Sequence, residues 1–386
     1  MVGVDLARGL AVFGMFSVHV GPDVTGGGPV GFLMETARGR SSALFALLAG
    51  FSLVIVTGRP QPRTGRAGRQ AVARIVIRAL VLLVLGYALT ALDTEVDVIL
   101  SFYGVLFLVV LPLYRLRART LALIAATGAL VLPQVLYMTR AAIEDGSWAD
   151  AVTAHDPVAL VTGTDGVIEL LFTGAYPVLT WVPFLVAGMA VARLDLARPG
   201  VRSLLARIGG ALALLGYGGS WLALHLVPHA LSAVASATHG PASSAWWSDT
   251  VGEPSGRPPL AWLLVAVPHS ETTLSIVGNT GVAVAVVAAC LTVAERMPRL
   301  TRLATPVTAV GMTALTAYVL HILALWFFND VWYVAAVDSD ARSGLAVLLS
   351  FIAAATLLAM VWTRLFARGP LEQLLHIAAQ PARNIR

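Results

Sequence analysis

The sequence predicts an all-α, polytopic integral membrane protein with about ten membrane-spanning helices and both termini in the cytoplasm. Three observations support this class: the apolar composition, the recurrence of long apolar segments and the one-sided distribution of arginine. Of the 386 residues, 58% are hydrophobic and 12% are charged, whereas a soluble domain has about 25% charged residues. Because the apolar excess extends along the whole chain, we expect one membrane-embedded domain, residues 1–386.

The apolar segments have the length that crossing a bilayer requires, which is about 20 residues in a helix. The first segment is expected to be a retained span, because it lacks the basic start and the small-residue cleavage motif of a signal peptide. The stretch PPLAWLLVAVP, residues 258–268, is too short to cross and is expected to be interfacial or re-entrant. The ten candidate spans are 4–20, 41–57, 75–92, 98–114, 120–137, 167–192, 207–228, 272–294, 307–328 and 344–363.

The arginines indicate the orientation. All 26 basic residues are arginine, and ten spans starting inside put 21 of them on the inner side and 5 on the outer side, with 17 of the 21 acids outside. This is the asymmetry of a plasma or bacterial inner membrane protein. The net charge of +5 therefore reflects membrane orientation and does not predict a nucleic-acid partner. A single cysteine, Cys290, provides neither a disulfide framework nor a cysteine metal site.

The first span begins with DLARGLAVFGMFSVH, which has charged residues at its inner end and a histidine at its outer end. Asp5 and Arg8 are three residues apart and can pair on one helical face. The pair can anchor the helix at the inner surface, or Arg8 can meet a phosphorylated ligand from the cytoplasm. His19 lies about 21 Å further along the helix at 1.5 Å per residue. It precedes the glycine-rich segment GPDVTGGGPVG, which can line a cavity.

Two other histidines are predicted at the same depth as His19. His269 lies in PHSETT before an inward-going span, and His321 lies in GMTALTAYVLH within an outward-going one. Three histidines at one depth could form a general-base site, since a neutral imidazole takes a proton near pH 7. We expect no metal, because none of the three has the i, i+4 spacing of a zinc motif and no cysteine or acid cluster completes a ligand set.

Four more residues are candidates for an acceptor site at the outer side. Arg38 and Arg40 break the charge rule at the mouth of the second span, where two guanidinium groups can hold an anionic or polyhydroxylated group or can anchor the helix at the interface. Glu271 and Asn279 are polar residues in or beside the eighth span, where burial of a polar group is costly and tends to mark function.

Other residues in the spans are expected to serve packing. Gly50 and its small neighbours permit close helix contact in the second span. Tyr176 and Trp181 are expected mainly to pack around the two prolines of TGAYPVLTWVPF.

Several of these motifs resemble the transmembrane acyltransferase superfamily, which includes the acyltransferase-3 and heparan-α-glucosaminide N-acetyltransferase families. VDLARGLAVFGMFSVH resembles the superfamily's first helix, a D-x-x-R-G start followed by an apolar run and a His or Asn. LFALLAGFSLVI is similar to its second helix. TGAYPVLTWVPFLVAGMAVARLDL, GNTGVAVAVVAACL, VGMTALTAYVLH and RGPLEQLL are most similar to the bacterial domain of unknown function 418.

The resemblance implies that acetyl-CoA or another acyl-CoA serves as co-substrate and reaches the helix bundle from the cytoplasm. It implies that His19 is the catalytic base and that Asp5 and Arg8 belong to the cofactor-binding element. The implied acceptor is a hydroxyl or amine of a carbohydrate or another cell-envelope molecule at the outer side of the bilayer. A homodimer is left open. The alternative is a transporter or flippase for a small solute or a lipid-linked sugar, which would need a central cavity between two pseudo-symmetric halves.

Overall fold

The computed structural model describes residues 1–22, 28–94, 96–328 and 341–385, and within these ranges the regular elements are all helical. Residues 23–27 of the glycine-rich segment lie outside the described residues. The helices are α1 (Val2–Val20), α2 (Gly28–Ala37), α3 (Arg40–Thr57), α4 (Gly65–Thr90), α5 (Ile99–Val110), α6 (Ala118–Glu144), α7 (Trp148–His155), α8 (Pro157–Thr162), α9 (Val178–Ala192), α10 (Pro199–Ala213), α11 (Gly219–Leu226), α12 (Ala230–Ala237), α13 (Thr273–Arg296), α14 (Pro298–Leu303), α15 (Thr305–Met312), α16 (Ala314–Phe327), α17 (Ala341–Leu365) and α18 (Pro370–Ala378).

Several of these helices are long and apolar enough to cross a membrane. Six described segments meet that requirement, namely α1, α2 with α3, α4, α6, α13 and the part of α17 from Gly344 to Leu365. The number rises to eight if two bent pairs each form one span, the pairs being α10–α11 with α12 (100°) and α15 with α16 (84°). The other two predicted segments correspond to the shorter apolar helices α5 and α9. The all-α membrane class is therefore confirmed, while the count of ten and the cytoplasmic termini stay predictions.

Glycines allow the central helices to approach each other closely. Helix α9 packs against α3 and α6, and α1 packs against α15, α13 and α3. A Cβ atom at Gly50 of α3 would collide with a backbone carbonyl of α9, and one at Gly188 of α9 would collide with a backbone carbonyl of α3. Only hydrogen atoms separate the two backbones there, as in small-residue helix pairs of membrane proteins. The packing role expected for Gly50 is confirmed.

The segment between α11 and α13, residues 227–272, is referred to here as the outer cap, because the predicted topology puts it at the outer side. It has a small apolar core of its own, which includes Val234, Val251 and Trp262. The stretch 258–268 does not cross the membrane, because it forms only a short 3₁₀ helix from Leu260 to Leu264. Its buried Trp262 fixes it within the cap.

The bent pair α15–α16 is held at its break by the C-terminal helix. One carboxylate oxygen of Glu372 in α18 accepts hydrogen bonds from the backbone N–H groups of Leu315 (2.8 Å) and Thr316 (3.3 Å). The other accepts from the Thr316 hydroxyl at 2.7 Å. The first N–H groups of a helix have no partner within the helix, so this carboxylate stabilises the start of α16. Helix α16 carries His321.

Candidate functional site

A pair of histidines from opposite ends of the chain meets inside the helix bundle. His19 Nδ1 on α1 lies 2.9 Å from His321 Nε2 on α16. The two rings are nearly parallel, with 9° between their planes and 5.1 Å between their centroids. His321 is only 3% exposed and packs against Phe16 and Tyr318, whereas His19 is half-buried. The structure thus brings together two of the three histidines that the sequence assigns to one depth.

The contact between the two rings allows two arrangements of its protons. One of the two contacting nitrogens must donate and the other must accept. His321 Nδ1 is buried and has no hydrogen-bond partner, so it does not decide between the two. In the arrangement in which His321 carries its proton on Nδ1, its Nε2 accepts from His19 Nδ1–H. The lone pair of His19 Nε2 is then available to take a proton from a substrate.

The third histidine, His269, lies in the loop before α13. His269 Nδ1 lies 3.1 Å from the carbonyl oxygen of Ala175, and because a carbonyl only accepts, Nδ1 carries the proton and Nε2 has the lone pair. His269 and Glu271 both have left-handed backbone conformations, with φ of 58° and 59°. Such conformations are costly for residues other than glycine and concentrate at functional sites.

Glu271 is buried and is held by two side chains of α9. Its carboxylate accepts hydrogen bonds from the Thr180 hydroxyl (2.5 Å) and from Trp181 Nε1 (3.1 Å). The rings of Tyr176 and Trp181 also contact the His269 ring, at centroid distances of 5.4 and 6.1 Å. These two aromatic residues therefore do more than pack around prolines. Tyr176 contacts the His269 ring, and Trp181 contacts that ring and also donates to Glu271. The polar neighbour of Trp181, Thr180, was not singled out from the sequence.

A large polar cavity opens beside these residues at the predicted outer side. Its volume of about 860 Å³ is typical of small-molecule sites. His269 and Glu271 form part of its wall. Carboxylates outnumber guanidinium groups in the wall, so the cavity suits ligands with hydroxyl or ammonium donors. The acids are Asp97, Glu144, Asp165, Glu169, Asp249, Glu253 and Glu271, and the arginines are Arg38, Arg140 and Arg257.

The two outer arginines have different roles. Arg38 lines the cavity and pairs with Asp249 at 2.8 Å. Arg40 is buried and donates to the carbonyl oxygens of Glu35 (3.1 Å) and Trp247 (2.6 Å). Its guanidinium group also lies 4.8 Å from the centre of the Tyr217 ring. Arg40 therefore joins α2, the outer cap and the short π-helix Leu214–Gly218 between α10 and α11. It is not among the residues that line the large cavity.

Asn279 likewise has partners within the protein. Its side-chain oxygen accepts from the Tyr217 hydroxyl at 2.7 Å, and its amide nitrogen donates to the Ser275 hydroxyl at 3.2 Å. It borders a small cavity that it shares with His269 and Glu271. Buried polar groups need such partners, and the sequence does not reveal whether a partner is a ligand or another side chain.

Asp5 and Arg8 form the expected pair at the other end of α1, with 3.1 Å between Arg8 Nη1 and Asp5 Oδ1. Arg8 also donates to the carbonyl oxygen of Gly311 at 3.2 Å and to the Ser52 hydroxyl at 3.1 Å. These bonds connect α1 with α15 and α3. The anchoring interpretation is thus supported by contacts, and the cofactor-binding interpretation remains a proposal. Within the described ranges, no group of three or more His, Cys, Asp and Glu residues could hold a metal ion.

A second cavity, of about 820 Å³, lies between α16 and α17 and has His321 in its wall. Its other lining residues are almost all apolar. The histidine pair therefore borders the apolar cavity through His321, whereas the polar cavity has the third histidine, His269, in its wall.

Fold and site together define a polytopic helical membrane protein with a histidine pair inside the bundle and an acid-rich cavity with a third histidine in its wall. The catalytic-domain model of heparan-alpha-glucosaminide N-acetyltransferase matches residues 1–222, more than half of the chain. The chain belongs to this membrane acetyltransferase family, as the resemblance of its motifs indicated. A second model, of a protein of unknown function (DUF418), matches residues 257–381. A search of curated proteins finds no match.

The histidine pair is shared between the two matched regions. His19 lies in the acetyltransferase match, whereas His269 and His321 lie in the match to the protein of unknown function. The hydrogen-bonding contact between His19 and His321 therefore joins both regions in one site.

Proposed function

We propose that this protein is a membrane acetyltransferase that moves an acetyl group from cytoplasmic acetyl-CoA to a carbohydrate or another cell-envelope acceptor at the outer side. The family membership supports acetyl transfer. The observation that carries the proposal is the 2.9 Å contact between His19 Nδ1 and His321 Nε2, in a helix bundle that also contains a polar cavity with His269 in its wall. The family match gives no support to the transporter alternative.

In the proposed reaction, His19 Nε2 removes the proton from an acceptor hydroxyl or amine as the acceptor atom attacks the thioester carbonyl. The C–S bond then breaks, the acyl group remains on the acceptor, and the CoA sulfur takes the proton back from the His19 imidazolium. His321 is a positioning residue, because it accepts from His19 Nδ1–H and keeps the lone pair on Nε2. In a catalytic triad, a hydrogen bond to the other ring nitrogen likewise keeps the histidine in the tautomer that acts as base.

The acceptor is proposed to bind in the large polar cavity. Its carboxylates can accept hydrogen bonds from sugar hydroxyls or from an ammonium group, and Arg38 can orient an acceptor oxygen. In the cavity wall, His269 can accept a hydrogen bond through Nε2, and the hydrogen bonds from Thr180 and Trp181 fix the position of Glu271. Asp5 and Arg8 lie at the opposite end of α1, where a contact with the nucleotide end of the co-substrate is proposed.

The test is turnover of labelled acetyl-CoA by the purified full chain in lipid nanodiscs, with sugar and amine acceptors supplied. His19→Ala should lower turnover by about 10²–10⁴-fold, the usual contribution of a general base. The matched control is His155→Ala, because His155 is exposed on α7 and its ring contacts only the Ala151 carbonyl of its own helix. Equal turnover by wild type and His19→Ala removes His19 from the mechanism. A wild type that neither binds nor consumes acetyl-CoA favours the transporter alternative.

A further inference from the structure

The apolar cavity between α16 and α17 has the dimensions of a site for a hydrocarbon chain. Its wall along α17 extends from Ala346 to Trp362, a separation of sixteen positions or about 24 Å of helix at 1.5 Å per residue. The chains of one leaflet occupy about 15 Å, half of a hydrocarbon core of about 30 Å. Leu320, Phe328 and Leu358 line the cavity and are themselves exposed at the surface of the bundle, so a lipid chain can enter from the side.

The few hydroxyl groups in this wall are already engaged by the protein. The Ser350 hydroxyl donates to the carbonyl of Ala346 at 2.8 Å, and the Thr313 hydroxyl donates to the carbonyl of Ala309 at 3.2 Å. The Thr316 hydroxyl donates to Glu372 at 2.7 Å. A ligand with amide groups, such as the pantetheine arm of CoA, would leave those groups without partners here, at a cost of a few kcal/mol each. A hydrocarbon chain has no such requirement.

Several arginines lie near one end of the cavity, on the arginine-rich side of the protein. Pro370 belongs to the cavity wall, and Trp362 Nε1 donates to the carbonyl of Arg368 at 2.8 Å. Helix α4, which carries Arg74 and Arg78, contacts the C-terminal segment, because Gln70 Nε2 donates to the carbonyl oxygen of Arg383 at 2.9 Å. Four arginines of these segments act electrostatically on His376 of α18, and we refer to them as the arginine cluster; they are Arg74, Arg78, Arg368 and Arg383. Desolvation and the charges of this cluster lower the pKa of His376.

The arginine cluster has no ion-pair partner among the described residues, because none of the ion pairs formed there includes one of its members. Arg78 Nε is buried and has no hydrogen-bond partner. The acid of the same C-terminal helix, Glu372, is engaged with the start of α16. Basic pockets beside membrane helices at this face attract anionic lipid head groups.

We propose that an anionic phospholipid binds at this position, with its phosphate on the arginine cluster and one acyl chain in the apolar cavity, along the wall that contains His321. The site lies beyond the proposed transfer reaction, since neither acetyl-CoA nor the acceptor is assigned to it. The bound chain would fill the space between α16 and α17 and support the helix that carries His321. On the predicted topology this is a lipid of the inner leaflet.

The first experiment measures lipid retention by native mass spectrometry of the purified full chain, with phosphatidylglycerol and phosphatidylcholine supplied in equal amounts. Wild type should retain phosphatidylglycerol preferentially. Arg78→Gln with Arg368→Gln should weaken that retention by about 30-fold, as expected for the loss of two arginines near a lipid phosphate. The control is Arg117→Gln with Arg119→Gln, which removes two exposed arginines at the start of α6 outside the cluster. Equal retention of both lipids by wild type, or unchanged retention by the cluster variant, overturns the proposal.

The second experiment blocks the cavity and leaves the arginine cluster intact. Ala355→Trp puts a large side chain in the cavity wall and should displace the phospholipid. Leu357→Trp on the same helix is the control, because Leu357 is 64% exposed and is not part of the wall. Phosphatidylglycerol that stays bound to Ala355→Trp overturns the assignment of its chain. Displacement of phosphatidylglycerol by free CoA would assign the cluster to the nucleotide instead. Because these readouts do not involve turnover, they are independent of the proposed acetyl transfer.

Discussion

Replacement of His321 tests whether this residue positions His19 or acts as the base itself. His321→Leu removes the acceptor for His19 Nδ1–H, which now lies 2.9 Å from His321 Nε2. His19 then keeps its lone pairs but loses the contact that fixes its ring and its tautomer. His321→Gln retains an amide oxygen near the position of the imidazole Nε2, and that oxygen can accept from the same N–H group.

The size of the effect follows from the value of one hydrogen bond. The net contribution of such a bond is about 0.5–1.5 kcal/mol, which corresponds to a decrease of roughly 2- to 13-fold in rate if it is lost in the transition state. Loss of the base itself costs about 10²–10⁴-fold. His321→Leu should therefore be much milder than His19→Ala, and His321→Gln should recover most of the wild-type rate. The double variant should be no slower than His19→Ala alone, because residues that act as a unit are not additive.

The assay is the acetyl-CoA turnover measurement in nanodiscs, with thermal unfolding as the control for folding. His321 is buried, so turnover rates are compared only between variants that unfold cooperatively. If His321→Leu is as severe as His19→Ala and His321→Gln gives no recovery, His321 is the base. An unchanged rate in His321→Leu would mean that the histidine contact has no part in catalysis.

Three other predictions concern stability and topology. Glu271→Ala leaves the Thr180 hydroxyl and the Trp181 N–H without their acceptor, which should lower the free energy of unfolding by about 1–3 kcal/mol for each buried group; an unchanged melting temperature would contradict this. Gly188→Leu forces a side chain against a backbone carbonyl of α3 and should cost about 1–3 kcal/mol or more, whereas Gly200→Ala, with open space beside it, should not lower the melting temperature, because alanine favours a helix over glycine. At the C-terminus, a reporter that works only in the cytoplasm should be active. Activity of a reporter that works only on the outer side would refute the orientation inferred from the arginines.

The sequence by itself determined the class of the protein and the positions of its polar residues along the helices. Hydrophobic length is a local property, because a helix in a bilayer satisfies its backbone within one segment, and a run of about 20 apolar residues can be read without knowing its neighbours. For the same reason the distance from Asp5 to His19 along α1 followed from the rise per residue. The glycine at position 50 indicated close packing, and the motif around His19 indicated the acetyltransferase family before any contact was known.

Only the tertiary structure decided which polar residues share a site, because hydrogen-bond partners come from distant parts of the chain. His19 and His321 are 302 positions apart, and their common depth does not specify the rotation of either helix about its axis. Arg38 and Arg40 are two residues apart, yet one lines the polar cavity and the other is enclosed by carbonyl groups. Thr180 and Trp181 donate to the carboxylate of Glu271, which lies about 90 positions further along the chain. The bend at Thr313 and the cavity beside α16 likewise depend on how helices pack, which no single segment encodes.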